Sequence, residues 1–243
     1  MLKTCIIIVM TSMSLLANLN DTHRTDDHAP IGVMADHKHH QNEVMISYRI
    51  MPMTMNSLID GTNKVSLDTV QSSYMMSPKD MQMTMHMMGA MWGYSDHITL
   101  TAMMGFLDNK MTMISQMNQT SEMTSSGLND IKLGAIFNLD EQKSSKTIGN
   151  IGISLPIGSI EEKNNDGAHL PYGMQLGSGT YDLNLGLTHT IFFTDMSIGG
   201  QVSGRIRSGR NALNYRLGNN YQGTAWIQKL WANNLSSSLR ITA

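Results

Sequence analysis

The chain has 243 residues, a length for one sizeable domain, with 17 Lys+Arg against 19 Asp+Glu for a formal net charge of −2. That balance excludes the basic surface that nucleic-acid binding requires. Only 15% of residues are charged and 41% are hydrophobic, and beyond the N-terminus no apolar run is long enough for a membrane-spanning helix.

Residues 1–17 read as a secretory signal peptide: Met1-Leu2-Lys3 gives a positive start, Cys5 to Leu16 an apolar stretch, and Ala17 a cleavage residue. An uncleaved anchor helix is the alternative, though the run is short for a span. The only cysteine lies in this segment, so no disulfide holds the mature chain. An exported, thiol-free chain fits a bacterial envelope. Residues 18–42 follow as a His/Asp-rich periplasmic segment, and 43–243 as the folded body.

From residue 43 the hydrophobic pattern has period two. Val44, Ile46, Tyr48 and Ile50 alternate with Met45, Ser47, Arg49 and Met51. The same alternation runs through 97–106, 127–139, 179–193, 195–207 and 235–242, and less cleanly through 81–94, 147–157 and 220–231. It predicts nine strands, each with one apolar and one polar face. Short links (95–96, 140–146, 194, 232–234) alternate with long ones (56–80, 107–126, 158–178, 208–219). The piece Lys110–Met117 is assigned to the second long loop. Strand length, alternating connections and aromatics near strand ends (Trp92, Tyr94, Tyr181, Phe192, Phe193, Trp231) predict an all-β fold, an antiparallel up-and-down transmembrane β-barrel of the outer membrane. A soluble β-sandwich or lipocalin-like barrel is the alternative, but it would carry more Lys and Glu on its wet face. The polar faces then place Arg49, Asp130, Lys132, Asp182, Asn184, Gln201, Arg205, Arg207 and Arg240 in the lumen.

Several stretches carry a family resemblance: His28–Met34 followed by Asp36-His37 and Ser47-Tyr48-Arg49; Met85–Met91; Gly127–Lys132 followed by Leu155–Ile160; and, most distinctively, Leu170–Asp182. In this order they resemble a family of bacterial outer-membrane transporters related to the channels of meta-pathway phenol degradation. The resemblance spans about residues 28–243. It implies an outer-membrane location, lipid as a partner and a small-molecule solute. Members of this kind continue for several more strands, so the chain is expected to be C-terminally short.

Two clusters suggest metal. Of 24 methionines, 22 lie at or before Met123. Met51, Met53 and Met55 share one strand face, and Met81, Met83 and Met85 share another. If both faces point to one side of a hairpin, thioethers gather as soft ligands for Cu(I). Methionine as pliable apolar filler is the alternative. His23, Asp26, Asp27, His28, Asp36, His37, His39 and His40 form the second cluster, with the five histidines as candidate Cu(II), Ni(II) or Zn(II) ligands. A polar extension with incidental histidines is the bland alternative. Together the clusters resemble, more loosely, outer-membrane copper-resistance proteins, with copper as cofactor or solute. No Ser/His/acid or paired-acid constellation can be assembled, so a non-enzyme is expected.

Overall fold

A computed structural model describes residues 24–232 and 235–243; the signal-peptide reading and His23 fall outside them. Strands β1 (Val44–Met55), β4 (Met76–Ser95), β5 (Ile98–Ser115), β7 (Ile131–Gln142), β8 (Ser145–Leu155), β9 (Asp182–Phe192), β10 (Met196–Arg207), β11 (Asn220–Ala232) and β12 (Leu235–Thr242) pair in that order, each antiparallel to the next. This is the nine-strand meander the alternation predicts. β6 (Thr120–Leu128) pairs with β5 beside the path. β2 (Leu58–Asp60) and β3 (Asn63–Val65) form a separate hairpin in the first long loop, next to the short helix α1 (Leu67–Gln71). The sheet curls into an open half-barrel, with β1 and β12 each paired on one side only among the described residues.

The second long loop corrects the sequence reading. Most of Lys110–Met117 is not loop: β5 runs on to Ser115, turns through 116–119, where Asn118 takes a left-handed φ of 59°, and returns as β6. Asn tolerates that conformation, which lets the turn close tightly. Met76 and Asp80, also assigned to a loop, belong to β4 and pair with Ser115 and Thr112 of the same arm.

Burial is inverted relative to a water-soluble domain. Ile46, Ile50, Trp92, Leu100, Phe106, Ile151, Leu187, Ile198, Val202 and Ile241 are exposed, while Thr99, Asp182, Thr188, Ser197, Gln201 and Gln228 are buried. Along most of the strands alternate residues turn apolar side chains outward and polar ones inward, with Ile136, Ile148 and Trp226 as buried exceptions on the inner face. The outward apolar band has a level edge. On β1 it ends at Ile50, then Pro52 and Thr54 follow; on β5 it ends at Phe106, then Asp108 and Lys110. Their register partners agree: Ile50 pairs with His86, His86 with Phe106, and Phe106 with Leu128, while Thr84, Asp108 and Ser126 lie one step beyond. Beyond that edge the arm has polar side chains outside, including the Lys110–Glu122 pair at 2.9 Å. Inside it is closed by Met81, Met111, Met113, Leu170 and Met174.

Candidate functional site: the inner face of the half-barrel

The inner face divides into three levels. At the long-loop end, Asp130 sits between β6 and β7 and is buried. Its carboxylate accepts from Gly158 N–H (3.1 Å), Ser178 N–H (2.9 Å) and the Ser178 hydroxyl (2.8 Å). These bonds fold the 156–181 loop over the inner face. The fit depends on glycine: a Cβ on Gly177 would lie 2.3 Å from the Gly158 carbonyl oxygen. The 208–219 loop docks on the same cap. Asn211 donates to the Ser178 carbonyl (3.1 Å) and accepts from Leu213 and Tyr215 N–H, and Tyr172 stacks on Tyr215 at 4.3 Å.

One level down lies a charged row. Register places Lys132 beside Ser154, Ser154 beside Asp182 and Asp182 beside Arg207 across four strands. Arg207 pairs with Asp182 at 3.1 Å, and Thr180 Oγ1 donates to the same carboxylate at 2.7 Å. Arg205 donates to Asn184 Oδ1 (3.2 Å), and Asn184 donates to Ser154 Oγ (2.9 Å). Burial would be costly for isolated charges, so the two aspartates are held by hydrogen-bond donors and a cation.

At the short-turn end, residues 24–42 form no strand and run across the inner face. Arg24 makes a two-pronged pair with Asp26 (both 2.9 Å), and Lys146 pairs with Asp27 at 2.8 Å. Ser197 donates to the Asp26 carbonyl, Gln228 to the His28 carbonyl (2.9 Å) and Arg240 to the Ile31 carbonyl (2.8 Å). Met34 reaches both sides of the curl: its carbonyl accepts from Gln201 of β10 (2.7 Å), and its sulfur lies 3.0 Å from Arg49 Nη1 of β1. Lys38 pairs with Glu141 at 2.7 Å, and His39 N–H donates to Thr99 Oγ1 (2.8 Å). A short segment can touch β1, β5, β8, β10, β11 and β12 only on the concave side.

All nine residues expected in a lumen (Arg49, Asp130, Lys132, Asp182, Asn184, Gln201, Arg205, Arg207, Arg240) belong to this inner face or its cap. Phe192 departs from its expected place among outward aromatics. It falls on the inward parity of β9, with the Arg24 guanidinium 5.7 Å and the Lys146 ammonium 5.5 Å from its ring centre.

The methionines expected to face one another do so in register. Met51 pairs with Met85, Met53 with Met83 and Met55 with Met81. The row continues from Met81 to Met111 and from Met111 to Met123. Met81 and Met111 are buried with Leu170 and Met174, whereas Met53 and Met55 are exposed. Of the histidines, His28 and His37 converge on Asp36, and the His39 ring lies 5.1 Å from that of His37. His40 stands apart, exposed and 3.8 Å from Asp96.

Sequence reasoning missed Ser178, Gly158, Asn211, Arg24 and Lys146. Only the first two had a signal, since they lie in the motifs that carry the family resemblance.

No family model and no curated protein matches the chain. Among 19 matching solved chains is the crystal structure of an outer membrane channel from Pseudomonas putida F1. It is 13% identical, with a TM-score of 0.57, and the match covers 91% of this chain and 76% of that one. This likeness establishes the fold: an antiparallel, up-and-down, channel-like β-sheet.

Proposed function

We propose that the protein is an outer-membrane β-barrel channel for small solutes. The observation that carries this reading is the exposed apolar band with its level edge. Nine residues of β5, Ile98 to Phe106, alternate apolar-out before the pattern changes, and a tilted strand needs about 9–11 to cross the hydrocarbon. Exposed aromatics flank the band, with Trp92, Tyr94, Phe193 and Trp231 near the short turns and Tyr181 and Tyr221 near the long loops. Such girdles suit the two membrane–water interfaces. The short turns, and residues 24–42 with them, then face the periplasm.

The hydrogen-bonding inner face, with its row of fixed charges, offers polar or charged solutes an alternative to bulk hydration. Kinship with the meta-pathway phenol-degradation channels belongs to the same proposal. It is supported by the motifs at 127–132, 155–160 and 170–182, which meet at the Asp130 cap. No catalytic role is assigned.

The test is reconstitution. The expressed full chain is expected in the detergent-extracted envelope fraction, to conduct in planar bilayers and to admit small solutes in liposome swelling. Recovery as a soluble periplasmic protein would overturn the membrane reading. Membrane insertion without conductance or swelling would overturn the channel reading alone.

A further inference from the structure

The segment 24–42 holds a cluster that the channel reading does not use. His28 Nδ1 lies 3.8 Å from Asp36 Oδ2, and His37 Nδ1 lies 2.9 Å from Asp36 Oδ1. One ligand atom from each of the three residues falls within 4.8 Å of the others. Metal–ligand bonds of 2.0–2.1 Å in a tetrahedral shell put ligand atoms about 3.3 Å apart. The two His–Asp36 spacings, 2.9 and 3.8 Å, bracket that value, and all three ligand atoms lie within 4.8 Å of one another, so modest side-chain adjustment would bring them onto one ion.

The site is built rather than incidental. Asp36 is buried, and Ala29 N–H donates to its Oδ2 at 2.8 Å, which fixes the carboxylate. The two imidazoles stand edge to face, with ring centres 4.4 Å apart at 87°. Lys146, whose charge would oppose a cation here, is neutralised by Asp27. His28 remains partly exposed, which leaves an entry path from the short-turn end.

A second observation comes from His39. It is 6% exposed, and its buried Nε2 has no hydrogen-bond partner among the described residues. Its Nδ1 lies 3.2 Å from Glu43 Oε1. A carboxylate on one ring nitrogen holds the proton there and leaves the other as a bare lone pair, the arrangement that orients metal-ligating histidines. The His39 ring stands 5.1 Å from that of His37, beside the three-residue group but not one of its ligands.

We propose that His28, Asp36 and His37 bind one divalent borderline transition-metal ion of the zinc, nickel and copper(II) class, with solvent completing the shell. Two imidazoles and one carboxylate suit that class. Calcium and magnesium take oxygen shells instead, and Cu(I) takes thioethers or thiolates. The ion would tie residue 28 to residues 36–37 and so close the turn through Gly32 and Ala35, both at positive φ. This inference does not depend on the channel reading.

The experiment uses the full chain in detergent. Co²⁺ titration followed by visible absorption should show one saturable site with the intense ligand-field bands of four-coordinate cobalt, and Zn²⁺ should displace it. His28→Ala, His37→Ala and Asp36→Asn should each weaken Zn²⁺ affinity by about tenfold or more. His189→Ala, on β9 and hydrogen-bonded to Thr147, should leave it unchanged. Heat-modified gel mobility checks folding of each variant, and one folded variant of the first three decides the matter. Absence of a saturable Co²⁺ site in the full chain, or wild-type affinity in any folded variant of those three, would overturn the proposal.

Discussion

Replacing Asp130 by Asn should detach the 156–181 loop without disturbing the sheet beneath it. In the native chain one carboxylate takes three donors, two of them backbone N–H groups of residues 158 and 178. An amide keeps one acceptor oxygen and turns an NH₂ toward the remaining donor. If the oxygen stays with Ser178, Gly158 N–H is left buried and unpaired, a cost of about 1–3 kcal/mol. Near 2 kcal/mol, local opening becomes roughly thirtyfold more frequent, because each 1.36 kcal/mol is a factor of ten. Asp130→Ala strands both backbone donors, while the Ser178 hydroxyl can turn to the Thr180 carbonyl at 3.1 Å, and should cost roughly 2–6 kcal/mol by the same unit cost. Hydrogen exchange by mass spectrometry reads this directly. Protection should fall in 156–181 and in 208–219, which Asn211 ties to Ser178, and hold in β10 and β11. Unchanged exchange across 156–181 in a folded Asp130→Ala protein would refute the account of the clamp.

Other consequences follow from the same contacts. A Cβ at Gly93 would lie 1.8 Å from the His40 carbonyl oxygen, so Gly93→Ala should lift residues 39–42 and cost about 1–3 kcal/mol; limited proteolysis of that segment is the check. Burial alone would raise the Asp26 carboxyl, but its two hydrogen bonds with Arg24 and the charge they bring hold it below the ordinary 3.8. A depressed carboxyl contributes stability above its ordinary value and loses it as pH falls through the lowered one. Residues 24–28 should therefore become protease-sensitive below pH 3.8 and stay protected at neutral pH. Met81→Leu with Met111→Leu conserves volume and should cost less than about 1.5 kcal/mol per site; a fall in Cu(I) affinity measured against a chelator would show that these sulfurs do more than pack. Arg205→Glu with Arg207→Glu should move the reversal potential in asymmetric salt toward greater cation preference, and an unmoved potential would place the row off the conduction path.

Strand positions were legible because alternation survives whichever face is wet. The nine segments read as strands are the nine of the meander, in order. The β5–β6 arm was not legible, and the reason is physical. Past Phe106 the outward residues become Asp108, Lys110 and Thr112, while the inward ones become Leu107, Met111 and Met113. The alternation continues, but its polarity reverses, and a reader who tracks one apolar parity sees it end. Asp108-Asn109-Lys110 then resembles turn composition, although Asn109 is fully buried and donates to Ser125. The inner-face positions were legible for the reason the strands were: parity assigns them once one inward residue is known. The segment 24–42 was not, because its hold on the sheet uses backbone carbonyls of Asp26, Asp27, His28, Ile31 and Met34, which any sequence would supply.

That reversal also decides what the arm is. In the proposed membrane barrel, a strand pair in lipid must stay apolar outside for the whole depth of the hydrocarbon, so Asp108, Lys110 and Glu122 would mark where hydrocarbon contact stops. The change of polarity falls at one register level on β1, β5 and β6 and one step earlier, at His86, on β4, which no single strand's composition could arrange. Above that level the arm is an ordinary wet hairpin whose core is the row of methionines. Its position opposite Leu170 and Met174 explains why methionine collects there. The 156–181 loop, pinned at Asp130, brings an irregular surface against the arm, and unbranched thioether side chains fill irregular gaps with little strain. On this reasoning the methionine excess in β4 and β5 follows from the shape of a loop held by one buried carboxylate. Asp130→Ala should then loosen Met174 from Met81 and Met111 and raise the oxidation rate of all three, measured by peptide mass under mild peroxide. Equal oxidation in the two proteins would separate the methionine row from the clamp.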